Sequence, residues 1–274
     1  MIPLRRFCRG LALLMGFGFF FPALAASGPE DLPLLGTGEC LEARGGETVV
    51  LRGGQVVRLA EIIGPETQGA ARTQAALGAL VVGQTLRLYG ESPRADRYGR
   101  LHAHGVTADG RWVQGALVEA GLARVVVRDG ESALSGALLA LEERARRAGR
   151  GLWPPASAAS PPPGALAATE DGFQVVEGRI VSAARAGRRI YLNFGADWRS
   201  DFTVSLSEAM LGRLLAMGRD PLAWAGRPVR VRGWVTRRNG PLLDLPHPMA
   251  LEGPLDEGRF LSSKENLDPE YPGN

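Results

Sequence analysis

Arg58–Glu66 (RLAEIIGPE), Asp96–Arg100 (DRYGR) and Trp112–Arg124 (WVQGALVEAGLAR) are the stretches from which the fold of this chain is read. The first two supply two arginines and a carboxylate. A phosphodiester is anionic and gains negative charge as water attacks it. A planar guanidinium holds two of its oxygens at once, and a carboxylate takes a proton from the water. Arg58, Arg100 and Glu66 are the candidate catalytic residues of such a site. Each has a plainer alternative. Arg58 reads also as an ordinary strand arginine, Arg100 as the end of a turn bridged to Asp96, and Glu66 as an acid at a helix N-terminus. The third stretch carries no chemistry and reads as a helix packed under the site.

Outward from these stretches, Thr48–Leu51 and Gln55–Ile62 read as strands joined across Arg52-Gly53-Gly54. Gln68–Leu80 has helical spacing, with Ala71, Ala75, Leu77 and Leu80 on one face. Thr85–Tyr89 and Leu101–Thr107 read as strands, and Val113–Ala120 and Leu134–Ala148 as helices.

Residues from about Cys40 to Trp153 resemble the thermonuclease (staphylococcal nuclease) family. The likeness rests on Arg58 with Pro65-Glu66 following it, on the D-R-Y-G-R turn at 96–100, on LVEAGLARV at 117–125, and on Gly151-Leu152-Trp153. The resemblance implies a mainly β, α+β architecture, an oligonucleotide-binding (OB) barrel with flanking helices. It implies hydrolysis of DNA, or of RNA, and a divalent cation, Ca²⁺ before others. Arg97 and Tyr98 become candidate substrate contacts, Tyr98 reading equally as a packed turn aromatic. Glu47 stands in GGETV where the family has an aspartate, and is the candidate metal ligand together with the Gly64 backbone carbonyl. Ile63 stands where a second aspartate is expected, which implies a weakly held cation, since calcium wants six to eight oxygens. Glu61, two residues before Ile63 on the same expected strand face, is the candidate to compensate. The short Thr67-Gln68-Gly69 connection implies an open site.

The stretch PPASAASPPPGALAAT (Pro154–Thr169) is a linker without periodic pattern. It divides the chain into a leader at 26–39, a nuclease-like domain at 40–153, the linker at 154–172, a second domain at 173–252 and a polar tail at 253–274. In the second domain Phe173–Ser182, Arg189–Phe194, Phe202–Leu206, Pro228–Val235 and Leu242–Leu245 read as strands. Glu208–Met217 is a helix capped by Ser207, and Asn239-Gly240 is a hairpin turn. Three strands, a helix and two strands is the order of a five-stranded OB barrel. Its VEGRI, LNFG and GRPVRVRGW pieces resemble OB domains that follow secreted nuclease domains. Such barrels bind single strands by aromatic stacking and a basic groove. The candidate contacts are Arg189, Tyr191, Trp198, Arg230, Arg232 and Trp234, along with Arg188, Arg199 and Phe202. The alternative is that the aromatics are core and the arginines a solvated face. A protein or an envelope polymer is the other partner open to this domain.

Residues 1–25 read as a signal peptide: Arg5, Arg6 and Arg9, the apolar run Leu11–Phe21, then Ala23-Leu24-Ala25. The expectation is an exported protein, periplasmic or secreted, with an uncleaved anchor as the alternative. Beyond the signal only Cys40 remains, so no internal disulfide forms, and Cys40 is expected as a small buried residue. The formal charge is +3, carried by the signal arginines; acids and bases otherwise balance. Residues 44–150 nevertheless hold fifteen arginines against eleven acids, and 173–252 twelve against seven, which suits a polyanion partner as well as simple solvation. His102, His104 and His247 lack the Cys or acid cluster of a zinc site, and there is neither a phosphate-binding glycine loop nor a serine elbow. Three functions stay open: an exported nuclease, a nuclease-fold protein that binds nucleic acid without cutting it, and an envelope protein binding other polymers.

Overall fold

The first body runs β1 (Leu34–Arg44), β2 (Thr48–Leu51), β3 (Val56–Leu59), β4 (Ile62–Ile63), α1 (Ala70–Val81), β5 (Thr85–Tyr89), β6 (Leu101–Val106), α2 (Val113–Glu119), β7 (Arg124–Val125) and α3 (Ser135–Arg147). Strands β1-β2-β3-β6-β5 close into a barrel. The β3–β6 pair is parallel and the others antiparallel. Val57, Leu59, Leu86, Leu88 and Ala103 are buried within it. Their spacing of two residues sends alternate side chains inward. This computed structural model describes residues 28–67, 69–93, 95–130, 132–153, 172–197 and 199–256. The signal segment, the linker up to Asp171, the tail from residue 257 and Trp198 lie outside the described residues.

Two boundaries differ from expectation for physical reasons. β1 starts at Leu34, ahead of Cys40, because Leu34–Glu39 pairs with β5. The strand expected over Gln55–Ile62 breaks at Ala60-Glu61. Glu61 adopts φ 60°, and the chain turns so that Ile62 and Ile63 pair with Val125 and Arg124 of β7.

The second body runs β8 (Gly172–Arg179), β9 (Ser182–Ala186), β10 (Arg189–Asn193), β11 (Thr203–Ser207), α4 (Glu208–Ala216), β12 (Pro228–Arg237), β13 (Pro241–Asp244) and β14 (Leu251–Glu252). The ladders join β9–β10, β10–β11, β11–β13 in parallel, β13–β12 and β12–β8. Only Ile180 and Val181 separate β8 from β9, so the two halves of one bent strand stand at either end of this order. The Ser207 hydroxyl accepts from the Met210 amide at 3.1 Å and caps α4, as the sequence implies.

The two bodies pack on each other through β8, β12 and β14 on one side and β7 and α3 on the other. Arg232 is 1 % exposed and pairs with Glu142 at 2.7 Å and Glu252 at 2.6 Å. It also donates to the Val125 carbonyl at 3.2 Å. Arg230 pairs with Glu143, Glu177 and Glu252, and Arg146 with Glu177. Beside this network lies an apolar cluster of Ile63, Val126, Ala145 and Trp153 from the first body with Phe173 and Val175 from the second.

Candidate functional site

The Gly45-Gly46-Glu47 turn ahead of β2 lies against Gly64. A Cβ added at Gly64 would come within 2.9 Å of the Gly46 Cα, so neither backbone tolerates a side chain there without shifting. This close approach sets Glu47 over the end of β4. Its Oε1 accepts from the Arg58 guanidinium at 2.8 Å and its Oε2 from the Gly64 amide at 2.7 Å. Gly64 thus turns its N–H, rather than a carbonyl, toward Glu47. Arg58 is 7 % exposed. Glu47 occupies only one of its five N–H donors.

The register places Arg58 opposite His102 across the parallel β3–β6 pair. Arg100 lies just ahead of β6, at the end of the turn that the Ala95–Leu101 bridge closes. The D-R-Y-G-R stretch is a tight turn, with Gly99 at φ 75°. Asp96 organises it: its carboxylate accepts from the amides of Tyr98 and Arg100, and pairs with the Arg100 guanidinium at 2.6 Å. Desolvation would raise the Asp96 carboxyl, but the Arg100 side chain, the two amides and the Arg100 charge hold it well below the usual carboxylate range. The turn-bridge alternative for Arg100 is therefore real in this state. Tyr98 is 67 % exposed, and the guanidiniums of Arg97 and Arg100 lie 4.8 and 5.3 Å from its ring centroid. The aromatic is not packed into the body; it stands out with two cations against it.

Glu66 is exposed in the loop between β4 and α1. Its charge acts on Arg124, whose guanidinium is otherwise pushed down by burial and held up by Glu142. Arg124 faces Ile63 across the β4–β7 pair and lies 3.5 Å from the Phe173 carbonyl of the second body. Arg124 is not marked as a site residue by its sequence alone. Its signal was its place inside the LVEAGLARV stretch, but the pairing with Ile63 is a tertiary fact.

The donors for a cation do not converge here. Ile63 is 8 % exposed and packs into the apolar cluster with Phe173. Both Glu47 oxygens are engaged. Glu61 does not compensate: it is 3 % exposed and accepts from His104 at 3.2 Å, the Leu134 amide at 3.1 Å and the Ser135 hydroxyl at 2.5 Å. The break at φ 60° turns it away from the face of Ile63. Among the described residues no three His, Cys, Asp or Glu side chains are placed to hold a metal ion.

In the second body the candidate contacts separate. Arg230 and Arg232, expected as contacts to a single strand, are instead buried in the ion network between the two bodies and do not reach a solvent-borne strand. The first body covers Arg230 and Arg232, and of that face of VRVRGWV only Trp234 is exposed, at 38 %. Trp234 stands edge-on to Phe173 with ring centroids 5.0 Å apart, and the Arg128 guanidinium lies 4.5 Å from its ring centroid. Phe202 is core. Arg189 and Tyr191 instead line an open groove of about 610 Å³ with Asn193, Arg238 and Asn239. Arg189 pairs there with Asp244 and Ser205.

Comparison with known proteins finds one family. Residues 56–155 match the family described as staphylococcal nuclease homologue. No match was found among curated proteins.

Proposed function

From a chain whose residues 56–155 match the family described as staphylococcal nuclease homologue, we propose an enzyme that hydrolyses phosphodiester bonds of DNA or RNA. Glu66 takes the proton of the attacking water. The water oxygen forms a bond to phosphorus as the ester P–O bond on the opposite side breaks, and the departing oxygen takes a proton from solvent. Arg58 and Arg100 hold the non-bridging oxygens, whose charge grows during attack. Glu47 positions Arg58 by occupying one of its donors. For Arg100 to grip a phosphate, the substrate has to compete with Asp96, whose ion pair with it is partly exposed. The family's nucleases use Ca²⁺ as a rule, and such an ion would neutralise phosphate charge; every step here is carried by the chain's own groups.

The observation that supports this reading most is the β3–β6 register, which pairs Arg58 with His102, two residues along the chain from Arg100. Cleavage of single-stranded DNA by the full chain tests it, with Glu66→Gln as control. Activity lost in a folded variant that still binds the strand supports the reading. A second reading, binding without cutting, is favoured by one observation: Ile63 is packed into an apolar cluster where the family has a ligand. Equal behaviour of the wild type and the Glu66→Gln variant would favour it. The Arg189–Tyr191 groove belongs to the proposal as a holder of single-stranded substrate, with Tyr191 stacking on a base. Export through residues 1–25 is also part of it, testable by cell fractionation.

A further inference from the structure

Ile63 stands where a cation site would need a carboxylate, and it is buried in an apolar cluster. In the β4–β7 ladder Ile63 and Arg124 are directly opposed, so their side chains leave the same face as neighbours. Ile63 is claimed by Phe173 and Val175 of the second body. Arg124 reaches toward the Phe173 carbonyl. A carboxylate at position 63 would have to enter that apolar cluster and lose its water, which is unfavourable without a bound partner. The docking of the second body and the apolar residue at 63 therefore belong to one arrangement. It removes one place for a divalent ion and leaves a fixed cation beside it.

We infer that this site handles phosphate without a divalent cation, Arg124 joining Arg58 and Arg100 as the positive charge that meets the phosphate near Glu66. The inference rests on the phosphodiesterase reading. Its further support is electrostatic: burial pushes the Arg124 guanidinium down, and the charges of Glu142 and Glu66 act against that. The remaining Arg124 neighbour of opposite sign, Glu142, is held by Arg232 and by the Val125 amide. It is not free to neutralise Arg124 alone. An arginine in such a place offers a fork of N–H donors matched to two phosphate oxygens, which an ion of the same charge does not.

The test uses the full chain and a 5′-phosphorylated dinucleotide as probe. Its affinity is measured by calorimetry with chelator and with added Ca²⁺, and thermal stability is recorded under both conditions without probe. The expected result is equal affinity in both, no rise in melting temperature with Ca²⁺, and about a tenfold or larger loss of affinity in Arg124→Gln, the scale of one charge-assisted hydrogen bond. Near-ultraviolet circular dichroism establishes that the variant is folded, and the wild-type comparison stands without it. Binding that needs Ca²⁺, or Ca²⁺ that stabilises the free protein, overturns the inference and leaves the phosphate reading intact. A probe that binds under neither condition contradicts the phosphate reading itself, and the inference with it. Metal-free binding that Arg124→Gln leaves unchanged removes Arg124 from the site.

Discussion

Replacing Arg232 with methionine is expected to loosen the junction between the two bodies. Arg232 is 1 % exposed and is held by Glu142 at 2.7 Å, Glu252 at 2.6 Å and the Val125 carbonyl at 3.2 Å. Methionine fills a similar volume, so the loss is electrostatic. Glu142 is as buried as Arg232 and would lose its ion-pair partner, keeping only the Val125 amide. Glu252 would keep Arg230 at 3.0 Å. Stranding one member of a buried pair costs about 3–5 kcal/mol, because the remaining charge stays desolvated. Against a folding stability of about 5–15 kcal/mol, that is a large fraction. Urea unfolding followed by tryptophan fluorescence reads it, with Trp153 and Trp234 both beside the junction. Adding Glu142→Gln should restore much of the loss, since the glutamine oxygen can still accept from the Val125 amide and leaves no charge behind. A cost below about 1 kcal/mol, the range of an exposed pair, would refute the claim that these charges are sealed between the bodies.

Acid should open the same junction. Burial would raise the Glu177 and Glu252 carboxyls, but the arginines around them, Arg230 and Arg146 for Glu177 and Arg232 and Arg230 for Glu252, bring both below their ordinary value of 4.5. Groups with depressed folded values contribute their stability fully above 4.5 and lose it as pH falls through the folded values, so melting temperature should drop below that pH. Gly64→Ala is expected to cost about 1–3 kcal/mol by pushing on the Gly46 backbone, and to lower activity by shifting Glu47 and Arg58; denaturant unfolding and an activity assay read the two effects. Arg58→Lys should lower kcat/KM for a phosphodiester by about 100-fold with little change in stability, because an ammonium cannot fork two oxygens while held by Glu47.

The parts of the fold legible in the sequence were those set by near neighbours. Val57 and Leu59 alternate with Arg58, so the strand and the outward direction of Arg58 follow from the period of two. Asp96 and Gly99 announce their own turn, and Ser207 its own cap. What was not legible depended on contacts across the chain. The strand Ser182–Ala186 (SAARA) lacks the β-branched alternation that would reveal it, and forms because it pairs with β10. Arg230 and Arg232 look from the sequence like the solvated face of a strand. Their partners include Glu142 and Glu143 on α3 and Glu177 on β8, and α3 alone gives no sign that it carries two of them. The same holds for Ile63: its apolar character was plain, but Phe173, which gives it a purpose, lies in the other body.

The central claim is that Glu66 and the arginines about it break phosphodiester bonds. The most direct test is the cleavage rate of single-stranded DNA by the full chain, comparing wild type with Glu66→Gln in chelating buffer and in Ca²⁺. Cleavage by the wild type in both buffers, abolished in a folded Glu66→Gln variant that retains binding, is the expected result. Folded wild-type protein that binds the strand and cuts it in neither buffer would contradict the claim, and would make the domain a binding module on a nuclease fold.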